Sequence, residues 1–178
     1  MNRNFTILCI FFLLSACSGI SGGEAIRARA LQGSKEDIYL LGKMYHSGNK
    51  GVPRDCNEAL KWFQKSAELG HPKGWHMLGF IYYFGECVPQ DYIKAAKYYR
   101  KAAENGLPIS QQTLGTMYLE GKGVAKDLIE AAAWLAIAAE KGAGSKNEDA
   151  IGKLSTEEKV EIMERTNLYK QRYVKPCC

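Results

Sequence analysis

The chain repeats itself every 36 residues: Gly79 and Gly115, Tyr82 and Tyr118, Gly85 and Gly121, Val88 and Val124, Asp91 and Asp127, Ala103 and Ala139, and Gly106 and Gly142 stand at that interval. A fixed period of this size marks a supersecondary unit that buries its core only by stacking on neighbours. Upstream, Asp55, Ala59, Ala67 and Gly70 keep the spacing, while Gly42, Tyr45 and Gly48 lie 37 residues ahead of their counterparts because the loop at Asn49, Lys50 and Gly51 is one residue longer. Three units follow, at residues 34–70, 71–106 and 107–142. Gly33 precedes Gly42 by the nine residues that separate Gly70 from Gly79, so residues 24–33 read as the closing helix of a truncated leading unit and as an N-terminal cap.

Each unit predicts two helices. In the first, Leu41, Met44 and Tyr45 recur at helical spacing, as do Leu78, Ile81 and Tyr82, and then Leu114, Met117 and Tyr118. Gly48, Gly85 and Gly121 end it, where a left-handed backbone costs glycine little. Asp55, Asp91 and Asp127 open the second helix, as carboxylates suited to its exposed N–H groups and its dipole. Ala59 with Ala67, Ala95 with Ala103, and Ala131 with Ala139 fall on one face and let helices approach, while Trp62, Phe63, Tyr98, Tyr99, Trp134 and Leu135 fill the remaining space. The fold class is therefore all-α, built of stacked helix pairs. Residues 143–178 leave the pattern. Asn147 to Leu154 predicts a short helix, and Ser155 to Glu158 form a capping box opening a longer one that carries Val160, Met163, Tyr169 and Tyr173, a C-terminal cap.

Residues 1–16 read as an address. Arg3 is followed by an apolar run from Phe5 to Leu14, too short for the ~20 residues of a membrane-spanning helix. Leu14, Ser15, Ala16 and Cys17 resemble the lipobox of bacterial lipoproteins, in which the cysteine is acylated and becomes the first residue. That resemblance implies a lipid anchor on Cys17 and, with Ser18 rather than Asp after it, an outer-membrane protein facing the periplasm. Residues 17–23 read as a flexible tether. The net charge of +5 is spread along the chain without a dense Lys/Arg block, which gives no reason to expect a nucleic-acid partner.

The repeat itself resembles the Sel-one-like repeat family, relatives of tetratricopeptide repeats. The residues that carry the likeness are Leu78-Gly79-x-x-Tyr82-x-x-Gly85-x-x-Val88-x-x-Asp91, then Ala95, Ala96, Tyr98, Tyr99, Ala102, Ala103 and Gly106, with Gly121, Gly123, Val124 and Asp127 the fullest match in the third unit. Cys87 departs from it, standing where the third unit keeps Gly123. The resemblance implies a right-handed α-solenoid of stacked antiparallel helix pairs that holds other proteins and is not an enzyme. Cys-rich relatives linked to β-lactam binding carry paired cysteines at positions filled here by Ala102 and Ala103, so a thiol or β-lactam-directed activity is a weak alternative. An immunity protein neutralising a secreted lipase-type toxin is a second alternative for the same envelope-anchored binder.

By analogy with tetratricopeptide stacks, the concave wall collects the free side of each first helix: Tyr39, Lys43 and His46, then His76, Phe80, Tyr83 and Phe84, then Gln112, Thr116 and Leu119. The first two groups are the expected partner-binding residues, since aromatic side chains anchor interfaces. Packing of Tyr83 and Phe84 on a neighbouring repeat is the competing reading. His46 and His76 find no third ligand at periodic positions, so no metal or other cofactor is expected. The loop Gly121-Lys122-Gly123-Val124 lacks the spacing of a phosphate-binding loop. Cys56 and Cys87 lie at the same edge of adjacent units and are expected to form a disulfide, which over a loop of about 30 residues is worth ~3 to 4 kcal/mol. The alternative makes Cys87 a reactive thiol. Cys177 and Cys178 are open to pairing with each other, bridging to another chain, or staying free.

Overall fold

A computed structural model describes residues 22–49, 51–143 and 155–173. All regular structure among them is helical: α1 (Gly22–Leu31), α2 (Lys35–Ser47), α3 (Cys56–Glu68), α4 (Pro72–Phe84), α5 (Tyr92–Glu104), α6 (Pro108–Glu120), α7 (Leu128–Glu140) and α8 (Thr156–Tyr173). No described helix is long and apolar enough to cross a membrane. The leader at residues 1–16, Cys17, the short helix expected from Asn147 to Leu154, and Cys177 and Cys178 lie outside the described residues. The chain divides into two units, with the boundary between Trp62 and Phe63.

In the first unit α1 packs on α2, burying Ile26 and Ala30 against a stripe that includes Ile38, Leu41, Met44 and Tyr45. Ser34 caps α2, accepting from the Asp37 N–H, and Gly48 ends it in the left-handed region at φ 68°. The Arg29 guanidinium donates twice to the Asp37 carboxylate, both at 2.9 Å, and together with the Ser34 hydroxyl holds that carboxyl below the usual range. Helix α1 begins at Gly22, so Gly22 and Gly23 belong to it and not to the tether expected over residues 17–23. Gly23 is buried, and Glu24 puts a carboxylate in the first turn, where the helix dipole favours it.

In the second unit α4 packs on α5, α5 on α6, α6 on α7 and α7 on α8. The pairing follows from the repeat. Asp91 accepts from the Lys94 N–H and Asp127 from those of Ile129 and Glu130, capping α5 and α7. The main-chain N–H of Asp91 donates to the carbonyl of Tyr82 at 2.9 Å, and that of Asp127 to Tyr118 at 3.2 Å. Asp55 makes the same bond to Tyr45 at 2.9 Å in the first unit, so each connecting loop closes alike. Side chains repeat as well: Arg27 of α1 donates to the Tyr45 hydroxyl and Arg100 of α5 to that of Tyr118. Helix α1 thus does for its neighbour what a complete second helix does.

Gly79 shows why the repeat keeps glycine inside a helix. A Cβ there would lie 2.8 Å from the Tyr99 ring, so α4 and α5 meet with that ring over the bare backbone.

The capping box of α8 forms in both directions. The Ser155 N–H donates to the Glu158 carboxylate at 2.7 Å, and the Glu158 N–H donates to the Ser155 hydroxyl at 3.2 Å. The inward stripe of α8 is Ile162, Thr166, Tyr169 and Tyr173, whereas Val160 and Met163 are exposed. Glu130 of α7 sets that rotation by accepting from Arg165 at 3.2 Å and from the Tyr169 hydroxyl at 2.7 Å. Tyr169 and Tyr173 then stack on Trp134, with ring centroids 4.8 and 5.8 Å away.

Candidate functional site

Helices α4 and α6 stand side by side in the second unit, and between them, floored by Tyr99 of α5, lies an open groove of about 450 Å³. Four of the seven residues expected to bind a partner line it: His76, Phe80, Tyr83 and Phe84. Gln112 and Thr116 form the facing wall on α6. Phe84 remains 56% exposed and Ile109, across the groove, 51% exposed, so two large apolar side chains stand at its rim in water. Phe80 and Phe84 touch, with centroids 4.6 Å apart. Thr113 and Thr116 donate their hydroxyls to the carbonyls of Ile109 and Gln112 in the preceding turn, which satisfies those groups within the helix.

Tyr83 has a second role. Its ring lies 5.1 Å from that of Tyr92 and 6.3 Å from that of Tyr99, packed on a cluster that includes Ala95, Ala96 and Met117. It is partly buried, with one side on that cluster and one edge in the groove, whereas Phe84 is exposed. Leu119, expected on the same wall, instead packs against the cluster around Trp134 and does not line the groove. The step from Thr116 to Leu119 carries the side chain round to α7. The periodic offset missed Ile109, Thr113 and Tyr99, which also line the groove.

Tyr39, Lys43 and His46 belong to α2 in the first unit, where the Lys43 ammonium lies 5.9 Å from the Tyr39 ring centroid. His76 makes a hydrogen bond between Nδ1 and the buried hydroxyl of Ser110 at 2.9 Å, and burial lowers its pKa from the ordinary 6.5. Among the described residues no cluster of three or more His, Cys, Asp or Glu is placed to hold a metal. Cys56 and Cys87 are each disulfide-bonded, so Cys87 offers no thiol for catalysis.

A histidine whose pKa is lowered in the folded state favours the neutral form there, so the unfolded chain takes up the proton first as pH falls. The stability His76 contributes is full above its ordinary value of 6.5 and is lost as pH drops toward the lowered folded value. We expect the urea midpoint to fall more between about pH 7.5 and about pH 5.5 in the native chain than in His76→Gln, which keeps a partner for Ser110 without titrating. Identical pH slopes in the two would show that His76 does not carry the effect.

In the second unit, helix pairs set first helix beside first helix, with an open groove between α4 and α6, are the arrangement of a helical-repeat protein. The chain belongs to the Sel1 repeat family, which it matches over residues 36–71, 76–107 and 108–142. A Sel1 repeat protein from Oxalobacter formigenes is similar to it at 33% identity and a TM-score of 0.62, over 73% of this chain and 94% of that one. Cysteine-rich protein B of Helicobacter pylori is 26% identical with a TM-score of 0.55, over 75% of this chain and 98% of that one. A 62-residue stretch is 34% identical to the ERAD-associated E3 ubiquitin-protein ligase component HRD3A of Arabidopsis thaliana, covering 35% of this chain. The match spans only 9% of the length of that plant protein. Sel1 repeats are protein–protein interaction modules.

Proposed function

We propose that this Sel1 repeat protein is an envelope-anchored interaction module, held to the membrane by lipid on Cys17, that seats a protein or peptide partner in the groove between α4 and α6. The observation that carries the groove is the pair of exposed apolar side chains, Phe84 and Ile109, facing each other across a hollow that needs neither for its own core. Large apolar groups left in water beside a concavity are the usual anchor points of an interface. Leu14, Ser15, Ala16 and Cys17 support the reading of a lipid anchor, and Ser18 after them supports that of an outer-membrane address facing the periplasm.

Affinity capture from crosslinked envelopes tests both. The native chain is expected to fractionate with membranes and to retain a partner; Cys17→Ala releases it to the soluble fraction. Phe80→Ala with Phe84→Ala removes the partner while leaving helicity unchanged, because Phe84 is largely exposed already. Tyr83→Ala is a poor choice, since that partly buried ring also packs against the core cluster of Ala95, Ala96 and Tyr99. Undiminished capture by the double variant would sink the groove, and membrane retention of Cys17→Ala would sink the anchor.

A further inference from the structure

Helix α5 carries a row of four cations, of which Lys94 and Arg100 have partners within the fold. Lys94, Lys97, Arg100 and Lys101 line a second hollow of about 500 Å³, which shares no residue with the apolar groove. Its wall includes Tyr82 and Tyr98, stacked with centroids 5.7 Å apart and planes 12° off parallel. Like charges three and four residues apart weaken a helix, and Lys94 stands in the first turn, where the dipole disfavours a cation. Asp91 offsets Lys94 at 3.4 Å, and Arg100 reaches Tyr118 and, at 3.9 Å, Glu130. Among the described residues no carboxylate forms an ion pair with Lys97 or Lys101, and both are exposed.

Charge is not uniform along this face. Glu104 closes the hollow at the far end of α5, and past Tyr98 and Lys101 it continues into a neighbouring depression of about 360 Å³ lined by Glu68, Trp75 and Leu78. A polyanion would gain at Lys94 and Lys97 and be repelled at Glu68 and Glu104. A planar anionic surface does not enter a concavity. A short peptide meets both ends, with carboxylates toward the lysines and an apolar residue toward the tyrosines and Trp75. From Lys94 to Lys101 is about 10 Å along the helix, the reach of about three extended residues.

We infer that this tyrosine-walled, lysine-lined hollow is a second docking site, and that its occupant is an acidic peptide segment of a partner protein. The site stands apart from the apolar groove and does not depend on it. The test pans a displayed library of random heptapeptides against the full chain and measures a selected peptide by fluorescence anisotropy. Selected sequences are expected to be enriched in Asp and Glu. Lys97→Glu with Lys101→Glu should weaken the selected peptide about tenfold or more, as expected for two lost ion pairs at a rim. Lys35→Glu with Lys159→Glu, which changes net charge equally elsewhere, should leave binding within about twofold, as should Phe80→Ala with Phe84→Ala. Circular dichroism of each variant confirms helicity. The inference is overturned if acidic residues are not enriched, if the Lys97 and Lys101 reversals leave binding intact, or if the Lys35 and Lys159 reversals abolish it. It is equally overturned if phosphatidylglycerol vesicles or single-stranded oligodeoxythymidine bind more tightly than the selected peptide.

Discussion

Glu130→Ala is expected to lower stability by about 3 kcal/mol and to free α8 from the rest of the second unit. The Glu130 carboxylate is buried on α7 and accepts from four directions: Trp134 Nε1 at 3.1 Å, Arg165 at 3.2 Å, the Tyr169 hydroxyl at 2.7 Å, and more distantly Arg100 at 3.9 Å. Burial, and then the hydrogen bond to Glu130, push the Tyr169 pKa up, so the hydroxyl stays protonated as a donor. Removing the acceptor strands the Trp134 N–H in a dry site and leaves Tyr169 without its partner, each a loss of about 1 to 3 kcal/mol. Arg165 and Arg100 are 30% and 38% exposed and return partly to water, which keeps the total at the lower end of the range for a broken buried pair. Hydrogen exchange should show α8 losing protection before α4 and α5, because repeat units open one after another. Tyr169→Phe removes one bond and should cost about 1 kcal/mol. A Glu130→Ala chain that melts with the native one would mean that α8 is held by the Trp134 stacking alone.

Glu130 also marks where the sequence stops being legible. Positions 36 residues apart put it in register with Lys94, and that with Glu58, so periodicity assigns a polar, solvent-facing site. It is buried because α8, which belongs to no repeat, covers it. For the same reason the sequence does not say which side of α8 turns inward: there is no second copy of α8 to compare, and the tie to Glu130 leaves Val160 and Met163 exposed. By contrast the loops and helix ends were plain in the sequence, since a left-handed backbone at Gly85 or a capping carboxylate at Asp91 is a local demand that few residue types meet. The groove lay between these cases. The offset that found Phe80 and Phe84 is a property of one helix, whereas the burial of Tyr83 depends on the Tyr92 ring across the loop.

Gly123→Ala should cost about 3 kcal/mol, although it adds a single methyl group to an exposed-looking loop. Two effects combine. Gly123 has φ +69°, where an L-residue with a Cβ is strained by roughly 1 to 2 kcal/mol. A Cβ there would also lie 2.0 Å from the carbonyl oxygen of Tyr92 and 2.9 Å from the N of Ile93, at the start of α5. Those are backbone atoms inside a capped helix turn, so the loop rather than the helix must move. Moving it withdraws Val124, which packs against both the Tyr99 and the Trp134 clusters and so ties two repeats together. Gly142→Ala separates the contributions, because Gly142 has φ +76° with nothing within 4 Å of its Cβ position and should lose only the strain, about 1 to 2 kcal/mol. In a domain of this size each kcal/mol moves the melting temperature by about 2 to 4 °C. Calorimetry should therefore place Gly123→Ala clearly below Gly142→Ala. Equal melting temperatures would mean that the loop yields freely and that the close approach to Tyr92 holds nothing.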